Sequence, residues 1–180
     1  MLPSARFAPS FAVIVMGVSG CGKSTLGALL AEALGCPFHE GDDYHSPEAV
    51  EKMRAGQPLS DEDRWPWLDR LGAATAGSIA AHGAAVAACS ALRRSYRDRL
   101  RATIGGPVQL VLLENSRDRL LQRLASRAGH FMPVSLLDSQ LATLERPLAG
   151  EDVLTLVTEK PPALLRDMVL AQLEDRRLRG

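Results

Sequence analysis

Phe11-Ala-Val-Ile-Val-Met-Gly-Val-Ser-Gly-Cys-Gly-Lys-Ser-Thr25 decides how the rest of this chain is read. Its first six residues, Phe11–Met16, form a short, continuous, β-branched apolar run, which suits a parallel strand buried on both faces. Gly17-Val-Ser-Gly-Cys-Gly-Lys-Ser24 then fits G-x-x-x-x-G-K-S/T at every fixed position. Lys23–Leu34 continues as a helix, with Leu26, Leu29, Leu30 and Leu34 along one face. A glycine turn between strand and helix is by itself an ordinary connection. The terminal lysine and serine make this one a phosphate cradle.

The chemistry accounts for the spelling. Gly17, Gly20 and Gly22 let the backbone fold tightly with its N–H groups pointing inward, and the helix adds its N-terminal dipole. Gly17, Val18, Ser19, Gly20, Cys21, Gly22, Lys23, Ser24 and Thr25 are therefore the expected ATP-binding residues. Lys23 reaches the β- and γ-phosphates, and the Ser24 hydroxyl holds Mg²⁺.

Outward from this loop, further strands are expected at Pro37–Glu40, Ala84–Cys89, Val108–Leu113 and Val153–Val157. Helices are expected at Ser46–Ala55, Asp61–Ala81 (interrupted or begun afresh at Pro66), Ser95–Ile104, Ser116–Arg127, Val134–Glu145 and Pro161–Arg177. Strands separated by helices predict an α/β fold, doubly wound, with a five-stranded parallel sheet covered on both faces. Residues 1–10 read as a frayed end and 11–180 as one domain, without a linker.

Composition narrows the function. Lys+Arg and Asp+Glu both number 21 in 180 residues, so no global basic field draws in nucleic acid or an anionic membrane. No apolar run reaches the roughly 18 residues of a membrane span. Cys21, Cys36 and Cys89 are scattered, which predicts reduced thiols in a cytoplasmic protein, compatible with assembly as a homodimer.

Among cradle-bearing classes, a guanine-nucleotide switch needs N-K-x-D, which is missing, and Asp69-Arg-Leu-Gly72 matches D-x-x-G only inside a helical stretch. A motor ATPase needs a strand ending in aspartate, whereas the third strand ends Ala87-Ala88-Cys89-Ser90. Arg123 and Arg127 lie four apart on one helix, before the loop Gly129-His130-Phe131. A helix bearing arginines that leads into such a loop suits a closing lid, at about 124–135, that excludes water and neutralises the transferring phosphoryl. A solvated arginine face is the plainer alternative. The cradle favours a small-molecule kinase.

At this point the chain resembles the short P-loop gluconokinases, relatives of the shikimate and adenylate kinases. The likeness runs through Met16–Thr25, Glu40-Gly-Asp-Asp-Tyr-His45, Glu51-Lys-Met53 and Gly56-Gln-Pro-Leu-Ser-Asp-Glu-Asp-Arg-Trp-Pro-Trp-Leu68. It continues in Cys89-Ser-Ala-Leu-Arg-Arg-Ser-Tyr-Arg-Asp98, in Arg123–Phe131, and in Gln140 with Leu144-Glu145. Glu40 stands where the family usually has aspartate, Cys21 where it often has serine or threonine, and Arg93 or Arg94 where lysine is common. The resemblance implies a nucleoside-monophosphate-kinase-like fold with a lid and a mobile acceptor-binding lobe at about 44–82. It implies ATP, Mg²⁺ and the phosphorylation of D-gluconate to 6-phospho-D-gluconate. Another small hydroxy acid such as shikimate, or a nucleotide-binding module without chemistry, are the alternatives.

A sugar acid needs a carboxylate to orient or deprotonate its alcohol and cations for its acid group. Asp42 follows the second strand, at the sheet end where ligands bind in such folds. Similarity to shikimate kinase implies that it holds the attacking hydroxyl; a turn-capping carboxylate is the alternative. His45 is either a substrate donor or a loop residue. Arg64 either grips the gluconate carboxylate, the preferred reading, or pairs with Asp61 or Asp63. Ser90 ends the third strand within reach of the acceptor. Of Arg94 and Arg97, spacing leaves open which faces substrate and which faces solvent. Trp65 and Trp67 are expected to pack, and Glu159-Lys160-Pro161 resembles the loop that cups adenine.

Overall fold

The computed structural model describes residues 10–126 and 133–179; Arg127 and the centre of the expected lid lie outside the described residues. The elements are β1 (Phe11–Met16), α1 (Lys23–Leu34), β2 (Phe38–Glu40), a 3-10 turn (Gly41–Tyr44), α2 (Pro47–Arg54) and α3 (Asp61–His82). β3 (Ala84–Ala88), α4 (Arg94–Ile104), β4 (Val108–Glu114), α5 (Arg117–Ser126), α6 (Val134–Thr143), β5 (Val153–Val157) and α7 (Pro162–Arg179) follow.

The strands form one sheet in the order β2-β3-β1-β4-β5, every neighbouring pair parallel. β1 is central, with Val13 opposite Val86 on one side and Gln109 on the other. Its alternating side chains therefore build two cores. Val13 and Val15 pack with Leu26, Leu30 and Leu34 of α1 and with Leu165 and Val169 of α7. Ala12, Ile14 and Met16 pack with Leu68 and Leu71 of α3 and Leu100 and Ile104 of α4. Each such aliphatic side chain contributes about 1.5–3 kcal/mol on burial. The alanines of β3 are all buried, and their small side chains leave room for Trp67 beside Ala87.

Two local features depart from expectation. α3 runs unbroken through Pro66. Pro66 lies in the second helical turn, where the missing N–H costs the ladder one bond. The helix is held across it by a capping box between Ser60 and Asp63 and by the burial of Trp67, Leu68 and Leu71. Asp69 and Gly72 serve packing within this helix: Asp69 pairs with Arg99 at 2.7 Å, and Gly72 lies against Thr103. The second feature is the 3-10 turn after β2. A Cβ at Gly41 would stand 2.2 Å from the Ala88 carbonyl oxygen, so only glycine lets the turn lie against the end of β3. Trp67 Nε1 donates to the Gly41 carbonyl at 2.7 Å and fixes the turn that carries Asp42.

Candidate active site

β1 ends between β3 and β4, and the chain leaves its C-terminal end through the cradle. Gly17 has φ 141°, and a Cβ there would lie 2.7 Å from the Leu113 carbonyl oxygen. The turn can hug β4 only as glycine. Gly22 begins α1 in a left-handed conformation and no side chain caps the helix, which leaves its first N–H groups for an anion. Lys23 Nζ spans the loop to the Val18 carbonyl at 3.0 Å. Ser24 Oγ donates to Glu40 Oε2 at the end of β2. A hydroxyl beside a carboxylate is a donor set that fits a hard cation such as Mg²⁺. The Gly17 N–H donates to the Ser90 carbonyl at 3.2 Å, tying the cradle to the end of β3.

On one flank of the cradle is a cavity of about 250 Å³, between Gly20–Gly22 and Thr25 on one side and Thr158, Lys160 and Pro162 on the other. Arg123 forms part of its wall. Its guanidinium donates to the Cys21 carbonyl at 3.3 Å and to the Thr158 carbonyl at 2.9 Å. The expected lid arginine thus stands at the cradle, resting on carbonyl oxygens. Lys160 is exposed, with Nζ 3.9 Å from Met168 Sδ.

On the other flank is the acceptor cluster. The Asp42 side chain is 80% exposed, and His45 Nε2 lies 4.0 Å from its Oδ1. No backbone N–H is capped by Asp42 among the described residues, so the turn-capping alternative has no support. His45 is stacked on Trp67 with ring centroids 4.1 Å apart, and its Nδ1 is buried without a partner among the described residues. Burial pushes the His45 pKa down to about 4; Asp42 opposes this, and Arg64 and Arg70 add to it. His45 is therefore neutral at pH 7.

This has a consequence for stability. The unfolded chain protonates His45 near 6.5, the folded protein only near 4. The stabilisation is complete above 6.5 and is lost as pH falls through 4. His45→Gln should flatten that acid-side loss in urea unfolding midpoints measured from pH 7 to pH 4. An unchanged slope would assign the loss to other groups.

Arg64 Nη1 donates to the Tyr96 hydroxyl at 2.7 Å, and that hydroxyl donates to Asp61 Oδ1 at 2.5 Å. Asp63 is taken by Lys52 at 2.9 Å. The aspartate pairing considered for Arg64 is therefore not the one formed: Asp61 and Asp63 have other partners, and Arg64 keeps donors free among the described residues. Ser90 is half-buried beside the cradle. Trp65 packs edge-on against Tyr96, and Trp67 is buried, as expected of packing residues.

Arg97 is a correction. It is 1% exposed, donates to Glu151 from Nε at 2.5 Å and from Nη2 at 2.9 Å, and reaches the carbonyls of Ala91, Leu92 and Glu145 through Nη1. Its hydrogen-bonding capacity is spent inside the protein, and removing it from Glu151 would leave two buried charges unpaired. Arg94 is solvated and lies 3.7 Å from Asp98; only its N–H is engaged, by Glu145 Oε2 at 2.8 Å. Neither arginine is left facing an acceptor.

The two flanks share one electrostatic environment. Burial pushes the Cys89 thiol up to about 12, with Lys23 opposing and Asp42 and Glu40 adding to the rise. The cradle lysine and the acceptor carboxylate thus both act on the end of β3. Sequence reasoning missed Tyr96 and Thr158. Tyr96 stood inside the quoted Cys89–Asp98 stretch, and Thr158 directly precedes the quoted adenine loop, so proximity was the available signal.

Comparison with known proteins follows this geometry. The AAA domain family matches residues 13–147. The chain is 48% identical over 161 residues to the gluconokinase of Gluconobacter oxydans, spanning 89% of this chain and 88% of that protein. The crystal structure of a gluconokinase from Sinorhizobium meliloti superposes with a TM-score of 0.81 at 44% identity, over 92% of this chain and 93% of that one. A sugar kinase from a Janibacter species gives 0.84 at 43% identity, over 92% and 95%. With a cradle at the end of β1, an exposed carboxylate opposite it, and this identity running through both, the chain belongs to the gluconokinase family.

Proposed function

We propose that this protein is a gluconokinase, transferring the γ-phosphate of ATP to D-gluconate to give 6-phospho-D-gluconate and ADP. The observation that carries the reading is 48% identity to a gluconokinase across 89% of the chain, which takes in both the cradle and the acceptor lobe.

The residues take roles that follow from their positions. The cradle N–H groups and Lys23 hold the phosphates, and the cavity beside Arg123, Thr158 and Lys160 receives the base. Mg²⁺, held by Ser24 with Glu40 beside it, supplies neutralisation of phosphate charge. Asp42 accepts a hydrogen bond from the acceptor alcohol and takes its proton as the new O–P bond forms and the bond to ADP breaks. Neutral His45 donates to a substrate hydroxyl, Arg64 faces the carboxylate, and Ser90 borders the acceptor. Arg123 and Arg127 neutralise the transferring group. No helix among the described residues is long and apolar enough to cross a membrane. The three free thiols suit a cytoplasmic enzyme, and assembly as a homodimer is compatible with this reading.

Coupled ADP release over a panel of sugar acids, shikimate, glucose and sorbitol tests the assignment. Gluconate is the expected acceptor; turnover of shikimate alone would overturn it. Arg64→Leu should raise KM for gluconate by roughly tenfold to a hundredfold, the worth of a charge-assisted hydrogen bond. Trace activity on sorbitol, which has no carboxylate, should hardly change. Equal loss on both would make Arg64 a structural partner of Tyr96.

A further inference from the structure

The Val18–Ser19 peptide group is held from both sides. Lys23 Nζ donates to its carbonyl at 3.0 Å, and its N–H donates to Gln140 Oε1 at 2.8 Å. A backbone N–H only donates, so the carboxamide atom that meets it must be the oxygen. In a trans peptide the C=O and N–H point in opposite directions, so a rotation that breaks one contact also breaks the other. The loop around this peptide has positive φ at Gly17, Gly20 and Gly22. Glycines resist such rotation little, so the restraint has to come from outside the loop.

Gln140 supplies it from α6, a helix whose flanks rest on the acceptor side. The Pro133 ring lies against Gly56, in the loop between α2 and α3. Beyond the other end, the Glu145 N–H donates to the Leu92 carbonyl at 2.8 Å, and Glu145 Oε2 accepts the Arg94 N–H at 2.8 Å. The same helix therefore touches the cradle at its middle and the acceptor wall at both flanks.

We propose that Gln140 is a positioning residue for phosphoryl transfer. It orients the Val18–Ser19 peptide so that the Val18 carbonyl holds Lys23 across the cradle, and it makes that hold depend on where α6 stands against the acceptor wall. The role rests on the kinase reading above and deepens it.

Two variants separate the oxygen from the rest of the side chain. Q140M keeps the length and volume but has no strong acceptor; Q140E keeps an acceptor oxygen. The readouts are kcat and KM for gluconate and ATP, and amide hydrogen exchange at Ser19. In Q140M, kcat should fall about tenfold or more with KM for gluconate little changed, and the Ser19 amide should lose protection. Q140E should restore protection and keep kcat within about threefold of wild type, with a higher KM for ATP from charge repulsion. Wild-type kcat in Q140M would overturn the proposal, as would equal loss of kcat in both variants despite restored protection in Q140E. If Q140M does not fold, Q140A replaces it under the same criteria. Wild-type turnover of gluconate is measured alongside. Its failure would sink the gluconokinase reading, while Ser19 exchange would still show whether Gln140 holds the peptide.

Discussion

Lys23→Ala abolishes gluconate-dependent ADP release, by about a thousandfold or more in kcat/KM, and leaves the fold intact. The fold survives because the side chain is only half-buried and makes one hydrogen bond, to a carbonyl of its own loop. Activity does not survive, because this ammonium is the cradle's own cation. The N–H groups of the loop and helix α1 remain, so nucleotide still binds, but charge developing on the transferring group goes unanswered. The measurement is coupled ADP release beside a thermal unfolding curve. A mutant with wild-type unfolding and near-normal turnover would remove the cradle from the mechanism.

Asp42→Asn should lower kcat by about a hundredfold to ten-thousandfold, the range for loss of a positioned general base, with KM for gluconate changed only a few-fold. The geometry supports this size. Asp42 projects from a turn fixed by the Gly41 contact and the Trp67 hydrogen bond, and its side chain is spent on no cap. Asparagine keeps the shape and an acceptor oxygen but cannot take a proton. A loss smaller than tenfold would show that Asp42 only orients the alcohol, and Asp42→Ala would then show the larger effect.

How far the sequence could be read depended on how local each determinant is. β1 and α1 were legible to the residue because the apolar run, the glycines and the leucine face all lie within 24 consecutive positions, from Phe11 to Leu34. β2 was faint because it has only three residues. The Gly41–Tyr44 turn has no periodicity, and its cause is the Ala88 carbonyl pressing on Gly41 from a strand 47 residues on (88 − 41). The unbroken α3 was hidden for a similar reason: proline warns of a break, but burial of Trp67, Leu68 and Leu71 outweighs one lost hydrogen bond. In the site, the cradle and Asp42 follow from position along the chain. The role of Arg97 does not, because helical spacing places it on α4 without revealing Glu151, 54 residues later. Arg64 was ambiguous for the same cause, since Tyr96, which it meets, is 32 positions away.

The Arg97–Glu151 pair also sets an order of events as the chain emerges and folds. Until Glu151 arrives, α4 carries a guanidinium that its final environment cannot hold unpaired. The segment from Ala91 to Arg97 therefore cannot close down on β3 early, and Ala91, whose φ of 43° is costly for a residue with a Cβ, has no Arg97 bond to hold it there. The cradle, built from a strand and the helix that follows it, needs no such wait. Synthesis thus completes the nucleotide half of the enzyme before the acceptor half, and a chain stopped short of Glu151 would retain the first without the second.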